Sequence, residues 1–334
     1  MNLGELTEEF TKLGLPAYRA RQVFKWLHKL NVNSFSLMSD LPAILRKNLE
    51  ENYNITSLSI EKKLKSEYDS TIKYLFRLND GEFIESVLME YLHGYSICIS
   101  TQVGCRMGCT FCATGLGGLS RNLSPAEMLA QVQTAAEDTG HRISNIVLMG
   151  MGEPLDNFDN VLRFLELVSC EEGLNIGMRH ISLSTCGLVD KIEELIPKSP
   201  QFTLSVSLHA PNDALRLQTM PINRKWNVDT LLKTCRRYAK STGRRISFEY
   251  AMIKGFNDSD QCAHELGRKL KGMLCHVNLI PVNTVKNSGY NKSTAERQRQ
   301  FCSVLKGYGI TATIRRTLGS DINASCGQLR GSLN

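Results

Sequence analysis

The sequence of 334 residues predicts an α/β protein in which parallel strands alternate with covering helices. Six short β-rich runs carry that expectation: SICIST (96–101), NIVLMG (145–150), ISLST (181–185), LSVSL (204–208), ISFEYAM (246–252) and HVNLIP (276–281). Each is followed by a stretch of helical periodicity, the pattern of strands joined by helical crossovers. The chemically distinctive residues also follow these runs. CRMGCTFC (105–112) comes after the first, GMGEP (150–154) after the second, STCG (184–187) ends the third, SLHAPND (207–213) ends the fourth and Asn283 follows the sixth. Because β/α barrels build their active sites at the C-terminal ends of the strands, one cavity can gather all these groups. No internal repeat or low-complexity linker interrupts the alternation.

Taken in order, residues 1–55 have helical pattern and form an N-terminal accessory domain. In PAYRARQVFKWLHKL, Pro16 suits a first helical turn, and Val23, Leu27 and Leu30 fall on one face. Arg21, Lys25 and Lys29 fall on another, either as a solvated face or as a stripe for phosphates. Residues 56–93 alternate apolar and polar types around Asn79-Asp80-Gly81, which reads as a β-hairpin extension with Asp-Gly at the turn. The alternating units then occupy 94–318, ending with the strand ITATIRR (310–316), and a polar tail with glycines fills 319–334.

Composition narrows the class. At 42% hydrophobic residues the chain suits a globular protein, and no apolar run approaches the roughly 20 residues of a membrane span. The start MNLGELTEEFTK has acids where a secretion signal needs bases, so a cytoplasmic location is expected. Eleven cysteines in a reducing compartment then act as core residues, ligands or catalysts. The formal net charge of +7 fits a polyanionic partner without requiring one.

Cys105, Cys109 and Cys112 form a set of three, with no fourth cysteine nearby. A structural zinc site closes with four ligands, so either a distant residue completes a zinc site or a position is left open. Iron-sulfur clusters are held by thiolates, and three ligands on one loop leave one iron of a cubane exposed. Such an iron can bind the amino and carboxylate groups of S-adenosylmethionine and deliver an electron to its sulfonium, giving a 5'-deoxyadenosyl radical.

The C-x-x-x-C-x-x-C pattern, with Phe111 before its last cysteine, resembles the radical S-adenosylmethionine superfamily signature. That resemblance casts Gly152 and Glu153 of GMGEP as contacts to the amino group of the cofactor, although Gly-Glu-Pro alone also suits a helix-entry turn. Closer still, TQVGC (101–105), ATGLGGLSRNLSPAEMLAQV (113–132), LMGMGEPLDN (148–157), SLHAPND, MPIN (220–223), HVNLIPVN (276–283) and GSDINASCGQL (319–329) resemble the RNA adenine-C2 methyltransferases of the RlmN type.

That resemblance spans nearly the whole chain and implies a partial (β/α)6 radical SAM barrel. It implies one [4Fe-4S] cluster on Cys105, Cys109 and Cys112, S-adenosylmethionine as second cofactor, and methylation of C2 of an adenosine in 23S rRNA, with tRNA as a second substrate. By the same resemblance Cys326 carries the methyl group as S-methylcysteine. Its methyl loses a hydrogen and adds to C2, and Cys98 is the base and the partner in a Cys98–Cys326 disulfide that must be reduced before another cycle. Glu85 matches an acid near the adenine, and Ser184, Ser207, His209 and Asn283 match cofactor contacts. Basic helices would grip RNA backbone rather than read sequence, which adds Arg315 and Arg316 to the stripe of Arg21, Lys25 and Lys29 as phosphate contacts.

An electron donor such as flavodoxin or ferredoxin is a further partner, no membrane is involved, and a monomer suffices. The nearest rival keeps the chemistry but methylates C8, as in enzymes of the Cfr type; a rival of another class is a nonenzymatic zinc-dependent RNA-binding protein. The sequence departs from the family wording at Thr101, at DINASC (321–326) and in NTVKNSGYN (283–291), where the substrate loop is expected.

Overall fold

Three amphipathic helices open the chain: α1 (Leu3–Lys12), α2 (Ala17–His28) and α3 (Ala43–Asn52). The structure, a computed structural model, describes residues 1–283 and 289–331. Asn2 caps α1 in a capping box with Glu5, which satisfies amide donors at the helix start. Pro16 occupies the cap position of α2, where its lack of an N–H costs nothing. Leu6, Phe10, Val23, Phe24, Leu45 and Leu49 pack into a core of their own, closed by Leu167 from the larger domain. Leu30 was expected on that buried face, but α2 stops at His28 and leaves Leu30 47% exposed. Arg21, Lys25 and Lys29 are exposed.

Among the described residues the main sheet has ten strands. β1 (Ser59–Lys65), β2 (Ile72–Arg77), β3 (Phe83–Tyr91) and β4 (Gly94–Cys98) form an antiparallel meander, with the expected turn at Asp80-Gly81 between β2 and β3. A small separate hairpin follows, made of β5 (Gln102–Gly104) and β6 (Leu119–Asn122). β4 then pairs in parallel with β7 (Ile143–Leu148), and β8 (Ile181–Thr185), β9 (Thr203–Ser207), β10 (Ile246–Met252), β11 (Cys275–Pro281) and β12 (Thr311–Ile314) extend the parallel order one after another. β1 and β12 stand at the two edges, so the barrel is partial.

The covering helices are α4 (Pro125–Thr139), α5 (Phe158–Ser169), α6 (Val189–Leu195), α7 (Asp213–Thr219), α8 (Val228–Thr242), α9 (Asp260–Leu270) and α10 (Ala295–Gly307). Six strand-to-helix units therefore lead to β12, as the sequence pattern predicts. The antiparallel extension is larger than expected, because β1 joins it and β3 continues into β4. β1 is exposed along nearly its whole length and reads SIEKKLK, so it has no apolar alternation to announce it. Its lysines suit a sheet edge that must not pair with another chain. Among the described residues no helix is long and apolar enough to cross a membrane.

Candidate active site

The three-cysteine loop is closed at its base by β5 and β6. Gly104 has φ +75°, and a Cβ there would lie 2.0 Å from the Gly118 carbonyl oxygen, so only glycine lets the two limbs approach. The Cys105 amide then donates to that same carbonyl at 2.8 Å. Inside the loop the Cys112 amide donates to Cys109 O at 3.1 Å, and the Thr110 amide reaches Thr219 O at the end of α7 at 3.0 Å. All three thiols are half-buried and line one wall of a cavity of about 170 Å³ without converging on a point. Burial pushes the Cys105 thiol up to about 12 and raises Cys109 as well, with Cys112 and Cys105 adding to the rise at Cys109. Uncompensated, the Cys105 and Cys109 thiols stay protonated; a positively charged iron group would remove that penalty by binding the thiolates.

The same cavity is lined by Gly152, Glu153, Ser184, Ser207, His209, Asn283 and Cys326, so the structure brings every expected cofactor contact to one place. Gly152, at φ +101°, lets the segment after β7 press against Gln102, where a Cβ would meet backbone and side-chain atoms at 2.7–2.8 Å. Gln102 in turn accepts from the Glu153 amide at 2.8 Å. The Glu153 carboxylate is buried and accepts from the amides of Cys186 at 2.7 Å and Leu155 at 3.1 Å. Burial raises its pKa, and those hydrogen bonds oppose the rise. Among the described residues the hydroxyls of Ser184 and Ser207 make no hydrogen bond to another protein group, which leaves both open to the cavity. His209 has φ +56°, and its Nδ1 accepts from the Ala251 amide at 2.9 Å. That bond assigns the proton to Nε2, and burial, helped by Arg216, holds the pKa down at about 3, so the ring is neutral.

Cys98 ends β4, buried, and opens onto a second cavity of about 40 Å³. Cys326, Asn283 and Arg315 line both cavities. The tail that carries Cys326 is stitched to the cysteine loop: the Ala113 amide donates to Gly327 O and the Thr114 hydroxyl to Leu329 O, each at 2.7 Å. Asn283 Nδ2 donates to the Cys326 carbonyl at 3.0 Å. Glu85 borders neither cavity; its carboxylate is buried against Lys73 and the tail backbone.

One reading of the sequence needs correction. Arg315 does not join an RNA-facing stripe: it follows β12 with its side chain on the cavity side, where Nη1 lies 3.6 Å from Met149 Sδ. Cys98 and Cys326 are both free thiols in the structure, the reduced form from which the expected cycle would start. The substrate-loop segment after Asn283 falls partly at 284–288, outside the described residues.

Arg216 went unnoticed in the sequence, where it looks like any arginine on a helix. It is fully buried and donates to Leu208 O, Asn223 Oδ1, Cys186 O and Ser207 O at 2.6–3.1 Å, locking the ends of β8 and β9 together.

Comparison with known proteins bears on the same features. The Radical SAM superfamily profile matches residues 99–265, and that of the ribosomal RNA large subunit methyltransferase N-terminal domain matches residues 1–55. A probable dual-specificity RNA methyltransferase RlmN of Alkaliphilus oremlandii is 55% identical over 99% of this chain and 96% of its own. The protein of the same description from Clostridium tetani is 52% identical over 94% of this chain and 89% of its own. The crystal structure of a radical SAM methyltransferase from Sphaerobacter thermophilus superposes with a TM-score of 0.95 at 45% identity, covering 99% of this chain and 98% of that one. The superfamily's cofactors are a [4Fe-4S] cluster and S-adenosylmethionine, and the residues present suit them: three soft thiols on a closed loop beside a cavity edged by a buried carboxylate and two unengaged hydroxyls. The chain belongs to the radical SAM superfamily and, within it, to the RlmN family.

Proposed function

We propose that this protein methylates C2 of an adenosine in 23S rRNA and in tRNA, with Cys326 as the carrier of the methyl group. The observation that supports this reading is the position of Cys326, which borders both the cofactor cavity and the small cavity that holds Cys98. The sp2 carbon C2 is too weak a nucleophile for direct displacement on a sulfonium methyl, so a radical route through a protein thioether is needed. Bound at the three thiols of Cys105, Cys109 and Cys112, the cluster and S-adenosylmethionine supply the electron and the hydrogen-abstracting radical.

The chain's own groups do the rest. The Cys326 thiolate takes the methyl group from sulfonium to sulfur. After loss of one hydrogen, the methylene on Cys326 adds to C2 and links protein to RNA. Cys98 removes the C2 proton as the radical adduct gives up one electron, which the cluster would take back. Once Cys98 has passed that proton to solvent, its thiolate attacks the Cys326 sulfur, the released methylene carbon takes a proton to become the methyl group, and a transient Cys98–Cys326 disulfide is left for an external thiol to reduce. Glu153, Gly152, Ser184, Ser207 and Asn283 orient the cofactor, and neutral His209 adds an Nε2–H donor. The exposed Arg21, Lys25 and Lys29 hold RNA phosphates beside the site, in a monomer that works in the cytoplasm with flavodoxin or ferredoxin as electron donor.

The test is direct. Reconstituted protein is incubated anaerobically with S-adenosylmethionine, reductant and an unmodified 23S rRNA fragment, and the digested RNA is compared with standards by mass spectrometry. This reading expects 2-methyladenosine; 8-methyladenosine would overturn the choice of target atom.

A further inference from the structure

The tail that carries Cys326 contains neither helix nor strand among its described residues, so side-chain ties must place it. Besides those to the cysteine loop, they come from the β1–β3 extension, far away in sequence. Asp69 Oδ2 accepts from the Gly319 amide at 3.0 Å, and Asp321 accepts from the Ser66 hydroxyl at 2.7 Å and the Glu67 amide at 2.8 Å. Deeper in, Lys73 Nζ stands 2.7 Å from Glu85 Oε1, with the two side chains only 11% and 6% exposed. They are diagonal neighbours on β2 and β3, since Lys73 pairs with Val87 and Glu85 with Leu75.

What this pair does with its remaining hydrogen-bonding capacity is informative. Lys73 Nζ donates to Asn323 O at 3.2 Å, and Glu85 Oε2 accepts from the amides of Arg330 at 2.6 Å and Gly331 at 3.3 Å. Asn323 and Arg330 flank Cys326 on either side, so one buried ion pair grips both limbs of the loop that presents the thiol. A pair kept for sheet stability alone would serve no better than apolar residues, because desolvation offsets most of its attraction. Its unsatisfied valences are met by the tail instead.

Resting on the reading of Cys326 as methyl carrier, we propose that Lys73 and Glu85 are positioning residues that clasp the Cys326 loop against the cysteine loop and Cys98. Neither side chain lines either of the two cavities. The clasp restricts where the thiol can travel between the two cavities, and the antiparallel extension is the anvil against which the tail is held.

The experiment uses the full chain with its cluster, as wild type, Lys73→Met, Lys73→Arg and Glu85→Gln. Amide hydrogen exchange across residues 319–331 and the rate of Cys326 alkylation by iodoacetamide are read by peptide mass spectrometry, alongside iron content and methyl transfer to RNA. In Lys73→Met, tail exchange and Cys326 alkylation rise about tenfold, as expected for losing a charge-assisted tie. Iron content and exchange in β7–β11 stay as in wild type, and kcat falls while KM for RNA holds. Lys73→Arg restores tail protection and kcat. Unchanged tail exchange and alkylation in both Lys73→Met and Glu85→Gln would overturn the clasp. If Lys73→Met loses its cluster, Glu85→Gln, which keeps the shape, decides alone. A wild type that transfers no methyl group to RNA while Lys73→Met still loosens the tail would sink the methyl-carrier reading and leave the clasp standing.

Discussion

Cys98 and Cys326 line one small cavity, the first from the end of a barrel strand and the second from an irregular tail. Division of labour follows from that difference in support. The strand fixes Cys98, while Cys326 stands at the edge of both cavities. Removing Cys98 should leave methyl transfer to Cys326 and addition to the base intact but block release. Cys98→Ala is therefore expected to accumulate a covalent protein–RNA complex, seen as RNA that stays with the protein on a denaturing gel. Release of free methylated RNA at the wild-type rate would exclude Cys98 from the release step.

Burial pushes Cys98 up to about 12, the proximity of Cys326 adds to the rise, and Arg315 opposes it. At neutral pH the resting species is thus the thiol, and the fraction able to act as base grows tenfold per pH unit below that value. The single-turnover rate of RNA release should rise with pH between 7 and 9. Arg315→Met, which removes the opposing charge, should lower that rate and leave the upward slope. A rate flat with pH in the wild type would mean that another group takes the C2 proton.

Two histidines make folding stability depend on pH. His28 is held down at about 4 by burial and His209 at about 3, so both are neutral in the native state and protonate in the unfolded chain below pH 6.5. The unfolded state then binds more protons, and stability, full above pH 6.5, is lost as pH falls toward 4. Thermal melts at pH 5 should lie below those at pH 7, and His28→Gln should reduce the difference. Equal melting temperatures would show that neither ring is buried neutral.

Arg216 offers a further test of stability. Arg216→Met strands three backbone carbonyls and Asn223 without their donor, and removal of such a buried charged group from its partners should cost about 3 kcal/mol or more in urea unfolding. A change within about 1 kcal/mol would mean that water replaces the guanidinium.

Arg21, Lys25 and Lys29 remain exposed, as RNA contacts must be. Their combined replacement by alanine should weaken RNA binding and flatten its dependence on log salt by roughly two to three units. Unchanged affinity and slope would remove this face from the interface.

The parts that local pattern encodes were legible in the sequence. Apolar runs marked the parallel strands, the three cysteines were found by their spacing, and Glu153 and His209 by resemblance to family motifs that follow those strands. β1 was not legible, since an edge strand exposed on both faces has no alternation. Nor were Lys73 and Arg216, whose partners Asn323 and Cys186 lie far along the chain and meet them only once the sheet has formed. Arg315 was misplaced because charge in a sequence suggests solvent, and only the fold shows that it points toward the cavities.

The decisive measurement follows the methyl group itself. With S-adenosylmethionine deuterated in its methyl group, the mass of the RNA product reports the route. Transfer through Cys326 removes one deuterium and later adds one proton from water, so the methyladenosine should carry two deuteriums, and Cys326→Ala should form none. A product retaining all three deuteriums, or formed without Cys326, would contradict the route through the tail cysteine.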